Sequence, residues 1–156
     1  MTDAPDAVPV KVWDPFVRLY HWSQAALIAA AWITADEWKW LHERIGYAVM
    51  ALVALRLLWG IVGPRHARFA DFVRGPRAVL RYLDDLLHGR ERRYLGHNPA
   101  GGAMIVALLA VIAATALTGW LQTTDAFFGS ETMENIHESL ATLIPVSYTH
   151  LTLPTS

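Results

Sequence analysis

Residues 94–124 read YLGHNPAGGAMIVALLAVIAATALTGWLQTT, a stretch without a single Asp, Glu, Lys or Arg. A helix rises ~1.5 Å per residue and the hydrocarbon core of a bilayer is ~30 Å thick, so about 20 such residues cross it. Asn98-Pro99 supplies an N-cap and a first-turn proline, which places the predicted span at 99–121. Working outward, Leu19–Ala35 is also free of formal charge, and Asp14-Pro15 lets its helix start early, giving a span of 15–35. A further run, 45–63, is interrupted only by Arg56, and a last one opens at Glu134 and continues through His137, Leu140 and Ile144. The predicted fold is an all-α integral membrane protein, a four-helix transmembrane bundle forming one domain over residues 1–144.

Composition supports the same class: 54% hydrophobic residues and seven tryptophans in 156 residues, with a mean hydropathy of +0.27. The net charge of −1 says little about partners, because the charges are segregated along the chain, and no nucleic-acid partner is expected. Eight arginines lie between Arg65 and Arg93, and Lys11 and Arg18 precede the first run. The other side carries only Lys39 and Arg44, with no basic residue between Gln122 and Asn135. The positive-inside rule therefore puts the N-terminus and the arginine-rich loop in the cytoplasm of a bacterial cell, with the spans in its inner membrane. Aromatic residues fall at both boundaries: Trp13, Tyr20, Trp22 and Trp59 inside, Trp38, Trp40, Tyr47 and Trp120 outside. The first run is expected to be a retained span rather than a cleaved leader, since no small-residue cleavage pattern follows it. Within the cytoplasmic loop, residues 76–88 place Val79, Leu80, Leu83, Leu86 and Leu87 on one helical face, with Arg77, Arg81, Asp84 and Asp85 elsewhere. That pattern suits a short interfacial helix on the inner surface, or alternatively a solvated connector.

Seven histidines occur. His66, His88 and His97 belong to the arginine-rich loop or its edge and read as surface residues. His21, His42 and His137 sit at span ends, where ionisable groups are costly and usually face the bundle interior for a purpose. His42 and His137 open outward-ended helices in the same local pattern, Leu41-His42-Glu43 and Ile136-His137-Glu138, and so share a depth near the outer surface. Two imidazoles at one depth on different helices can clamp one iron from both faces of a porphyrin. The chain has no cysteine, which excludes disulfides, thiolate-held iron–sulfur clusters and covalent c-type haem attachment. Arg56 lies fourteen residues after His42, about 320° further round the helix and ~21 Å deeper, level with His21. It suits a haem propionate, or else snorkels to the inner surface. A proton relay or plain hydrogen-bonded packing remains the other role open to these histidines.

Four segments carry a resemblance: Val12–Trp22 (VWDPFVRLYHW), Leu41–Tyr47 (LHERIGY), Trp59–Phe69 (WGIVGPRHARF) and Tyr94–Met104 (YLGHNPAGGAM). Over roughly residues 10–144 the chain resembles the prokaryotic cytochrome b561 family and the b-type cytochrome subunit of nickel–iron hydrogenases. The resemblance implies a four-helix membrane protein with two b haems, one near each surface. It implies electron transfer between a quinone pool and a periplasmic or membrane partner, a hydrogenase or a c-type cytochrome. Such a chain is an electron-transfer subunit of an oxidoreductase rather than a stand-alone enzyme. His42 and His137 would then ligate the outer haem and His21 the inner one, with Arg18 and Arg56 completing the cofactor-binding set. The second inner ligand is expected from helix four, about four turns beyond His137.

Here the chain departs from the pattern. Residues 145–156, PVSYTHLTLPTS, carry two prolines among Ser and Thr, and read as a non-native or disordered tail after a shortened span. His150 lies thirteen residues after His137, but about 220° round an unbroken helix from it. Two other functions stay open on the residues alone: a non-redox anchor for a periplasmic enzyme, and a small proton-linked transporter using the membrane histidines.

Overall fold

The computed structural model describes residues 15–64, 67–90 and 98–152. In chain order these form α1 (Pro15–Thr34), α2 (Lys39–Val62), α3 (Phe69–Phe72), α4 (Pro76–Leu87), α5 (Pro99–Leu121) and α6 (Glu131–Thr152), with no strand among the described residues. The predicted cap Asp14 and the histidines His66 and His97 lie outside them. Helix α5 spans the predicted 99–121: the Asn98 side-chain oxygen accepts the Gly101 amide at 2.7 Å, and Pro99 follows at the first helical position. Both α2 and α5 are long and apolar enough to cross a bilayer.

Two helices begin before the predicted points, for local reasons. The amides of Leu41 and His42 both donate to the Trp38 carbonyl at 2.9 Å, so α2 is already helical at Lys39 rather than at Ile45. Its charged first turns are exposed, and a helix need not stop where the hydrocarbon does. Helix α6 starts at Glu131 because Ser130 caps it, taking the Met133 amide on its hydroxyl at 3.4 Å. Glu131 and Glu134 then complement the positive end of the helix dipole. At the far end the sequence reads residues 145–156 as a non-native or disordered tail; the described backbone is helical as far as Thr152. Proline removes one hydrogen bond, the one to the Ala141 carbonyl, and bends a helix without having to end it.

Helix α1 packs along α2, α2 along α5, and α5 along α6, while α4 lies against α5 and α3 against α2. The buried core is made by Val49 and Val53 of α2, Leu109, Ile112 and Ala116 of α5, and Ile144 of α6. On the arginine-rich side, α3 folds back over the ends of α2 and α5. A Cβ on Gly102 would stand 2.6 Å from the Phe72 carbonyl oxygen, and one on Gly60 would overlap the Phe69 ring. Backbone cannot swing aside as a side-chain tip does. Gly102→Val is therefore expected to destabilise the protein by about 1–3 kcal/mol. Thermal unfolding in detergent would read this, against Gly75→Ala, where nothing lies within 4 Å, as the control.

Candidate functional site

His42 on α2 and His137 on α6 face each other with ring centroids 6.1 Å apart and planes at 86°. Each ring is held from behind. His42 Nδ1 lies 2.9 Å from the Ala31 carbonyl oxygen of α1, and His137 Nδ1 lies 2.9 Å from the Thr115 carbonyl oxygen of α5. A carbonyl can only accept, so each Nδ1 carries the proton and donates it. In the neutral imidazole that leaves the lone pair on Nε2, turned away from the anchoring carbonyl. Both rings are half-buried. All four long helices thus contribute: α2 and α6 supply the rings, α1 and α5 the groups that fix their tautomer and orientation.

Both anchoring carbonyls are available for a structural reason. Ala31 belongs to the last turn of α1, and its oxygen also takes the Thr34 hydroxyl at 3.2 Å. Thr115 sits inside α5, and the close approach of the ring to its carbonyl is eased because residue 119, one turn on, is glycine. A Cβ there would stand 3.0 Å from His137 Cε1 and 3.3 Å from Nδ1. The Thr118 hydroxyl lies 3.2 Å from the same Nδ1 and adds a second polar neighbour. One turn deeper than His42, on the same side of α2, Gly46 has open space where a side chain would begin. Two neutral imidazoles with fixed tautomers, next to a glycine that leaves room, suit a flat metal-centred macrocycle taken between them.

A family model described as prokaryotic cytochrome b561 matches residues 12–151. The chain belongs to the prokaryotic cytochrome b561 family. No curated protein and no solved structure matches it. The protein is therefore a prokaryotic membrane protein of the class that binds b-type haem and transfers electrons across the membrane.

The remaining candidate residues of the cytochrome lie elsewhere. His21 is exposed on α1, edge-on to Trp22 at 6.0 Å between centroids, and is not brought to a second histidine among the described side chains. Arg18, one turn earlier, is exposed as well. Arg56 is buried, with 6% of its surface exposed. It donates to the Ala67 carbonyl at 3.3 Å, and its guanidinium stands 4.8 Å from the centroid of the Phe69 ring. The arginine thus ties the turn after α2 back onto that helix. His88 is exposed at the end of α4, 2.7 Å from the Asp84 carbonyl oxygen. No group of three or more His, Cys, Asp or Glu side chains suited to a bare metal ion occurs among the described residues.

Sequence reasoning missed the supporting residues. Ala31 and Thr115 act through their backbones, which no side-chain pattern reports. Thr118 and Gly119 were within reach: Thr115-x-x-Thr118-Gly119 is the one polar break in an Ala, Leu, Val and Ile helix. Gln24 of α1 was also passed over. It is 1% exposed, and among the described residues neither polar atom of its amide has a hydrogen-bond partner.

Proposed function

We propose that His42 and His137 would hold one b haem near the outer surface of a four-span bundle. The chain would sit in a bacterial inner membrane with its N-terminus in the cytoplasm. It would pass electrons between the quinone pool and a periplasmic or membrane partner, a hydrogenase or a c-type cytochrome. The observation that carries the reading is the spacing of the two anchored rings. With metal–nitrogen bonds of ~2 Å, two imidazoles on opposite sides of one metal stand with ring centres roughly 6 Å apart. The separation here is 6.1 Å.

A b haem held by His42 and His137 would supply a one-electron couple. The protein's part is to hold that geometry. The Nδ1 donors on the Ala31 and Thr115 carbonyls prevent ring rotation and raise the basicity of Nε2. The apolar walls of α2 and α5 keep water from the ligands, which tunes the potential.

The four-span arrangement draws support from α1 and α6, helices of 20 and 22 residues that flank the two most apolar ones. The cytoplasmic placement of the N-terminus rests on the arginines between Arg65 and Arg93. A second, inner haem would take His21, with Arg18 as a nearby cation and a ligand from the far end of α6. His150 lies on that stretch, but about 220° round from His137.

The test is haem per chain together with a reduced-minus-oxidised spectrum, on detergent-purified protein expressed with ample haem. One low-spin b haem is expected from the His42–His137 pair, and a second extends the reading to His21. Protein that is folded yet haem-free would overturn it.

A further inference from the structure

Helix α4 has three distinct faces. Ala78, Val79, Tyr82 and Asp85 are half-buried on the side turned to α5. Leu80, Leu83 and Leu87 are 66%, 41% and 85% exposed. At ~100° per residue they form a second stripe, roughly 150° from the packed side. Arg77, Arg81 and Asp84 occupy the remaining arc and are exposed. A solvated connector needs one apolar face, the one it buries. Helix α4 has a second, which is left bare.

The charges on the polar arc are unevenly matched. Asp84 lies 3.7 Å from Arg90 and 3.4 Å from His88. No carboxylate stands within ion-pair distance of Arg74, Arg77 or Arg81 among the described residues. The helix therefore joins a bare leucine stripe to guanidiniums without counter-ions among the described residues, beside a bundle whose own exposed surface is apolar: Leu58, Ile61 and Val62 of α2, Met104 and Val106 of α5. Its attitude is also fixed. The Asn98 amide nitrogen donates to the Tyr82 hydroxyl at 2.8 Å while the Asn98 oxygen caps α5, so α4 is bolted to the first turn of a spanning helix.

We infer that α4 is a binding element for anionic phospholipid: Leu80, Leu83 and Leu87 enter the inner leaflet, and Arg74, Arg77 and Arg81 take lipid phosphates at its surface. The inference rests on the membrane orientation proposed above and adds a lipid preference to it. Each guanidinium near an anionic surface strengthens the attraction by about 1 kcal/mol, roughly fivefold in binding. Because the helix is fixed to the N-cap of α5, bound lipid would brace the inner end of that span.

The chain contains no cysteine, so a single introduced one carries a polarity-sensitive fluorophore without competition. Leu83→Cys, Asp84→Cys and, as a reference in the bundle, Val106→Cys would be labelled in the full chain. Each would be reconstituted in phosphatidylcholine vesicles with and without phosphatidylglycerol. The expected result is an apolar environment at position 83, an aqueous one at position 84, and a shift at 83 that grows with phosphatidylglycerol. In an Arg77→Gln/Arg81→Gln background the phosphatidylglycerol dependence should weaken roughly fivefold for each arginine. Raised salt should weaken it too. Aqueous emission at 83 beside apolar emission at 106 would overturn the proposal, and so would a shift at 83 indifferent to lipid charge and to the arginines. Aqueous emission at 106 as well would overturn the membrane orientation instead.

Discussion

Haem content is expected to collapse when either His42 or His137 is replaced by alanine, by well over the 10–100-fold that loss of a supporting contact alone costs a metal site. The loss should be complete in either single variant, because an iron held from two sides is not retained by one half-buried imidazole in an apolar slot. The two positions should also fail to add. The double variant is expected to be no worse than either single one, the mark of residues acting as a unit. His88→Ala is the matched control. That ring is exposed, at the opposite end of the bundle, and bonded to its own helix at Asp84, so its removal should leave the spectrum unchanged. Far-ultraviolet circular dichroism of each variant separates a lost ligand from a lost fold. Native haem content in a folded His42→Ala or His137→Ala protein would remove the assignment.

How much of this was legible in the sequence differs between elements. Helix α5 was, to the residue, because an uncharged run with Asn-Pro at its start leaves few alternatives. The start of α2 was not. Lys39, Glu43 and Arg44 marked a membrane boundary, and a membrane boundary is not a helix boundary. The pairing of His42 with His137 could be argued from shared depth and a shared His-Glu neighbourhood. What holds the rings could not, since the Ala31 and Thr115 carbonyls become visible only once four helices are placed together. Gln24 shows the same limit. An amide within an uncharged stretch reveals its burial only after its neighbours are known. Helix α4 lay between these cases: its leucine face was readable, but not the division of its apolar residues into a packed stripe and a bare one.

Arg56 gives the second large effect, and its sign on two separate readouts decides what the residue does. The helical angle puts it on the His42 side of α2, which suits a propionate partner. The structure gives the guanidinium the Ala67 carbonyl and the Phe69 ring. A hydrogen bond to a charged group contributes ~1.5–3 kcal/mol and a desolvated cation–π contact up to ~2 kcal/mol. Arg56→Ala is therefore expected to lower stability by about 2–4 kcal/mol, read as the unfolding midpoint in detergent. Outer haem content should be preserved, because His42 lies ~21 Å away along α2 and its anchor on Ala31 is untouched. Phe69→Leu should remove the cation–π contact together with the ring's packing on Gly60 and Phe72, lower stability, and leave haem content as it was. A propionate role gives the opposite pattern: Arg56→Ala would reduce haem content or shift the potential of one haem, and Phe69→Leu would do neither. The same pair of variants thus separates an arginine that clamps the turn after α2 from one that neutralises a cofactor.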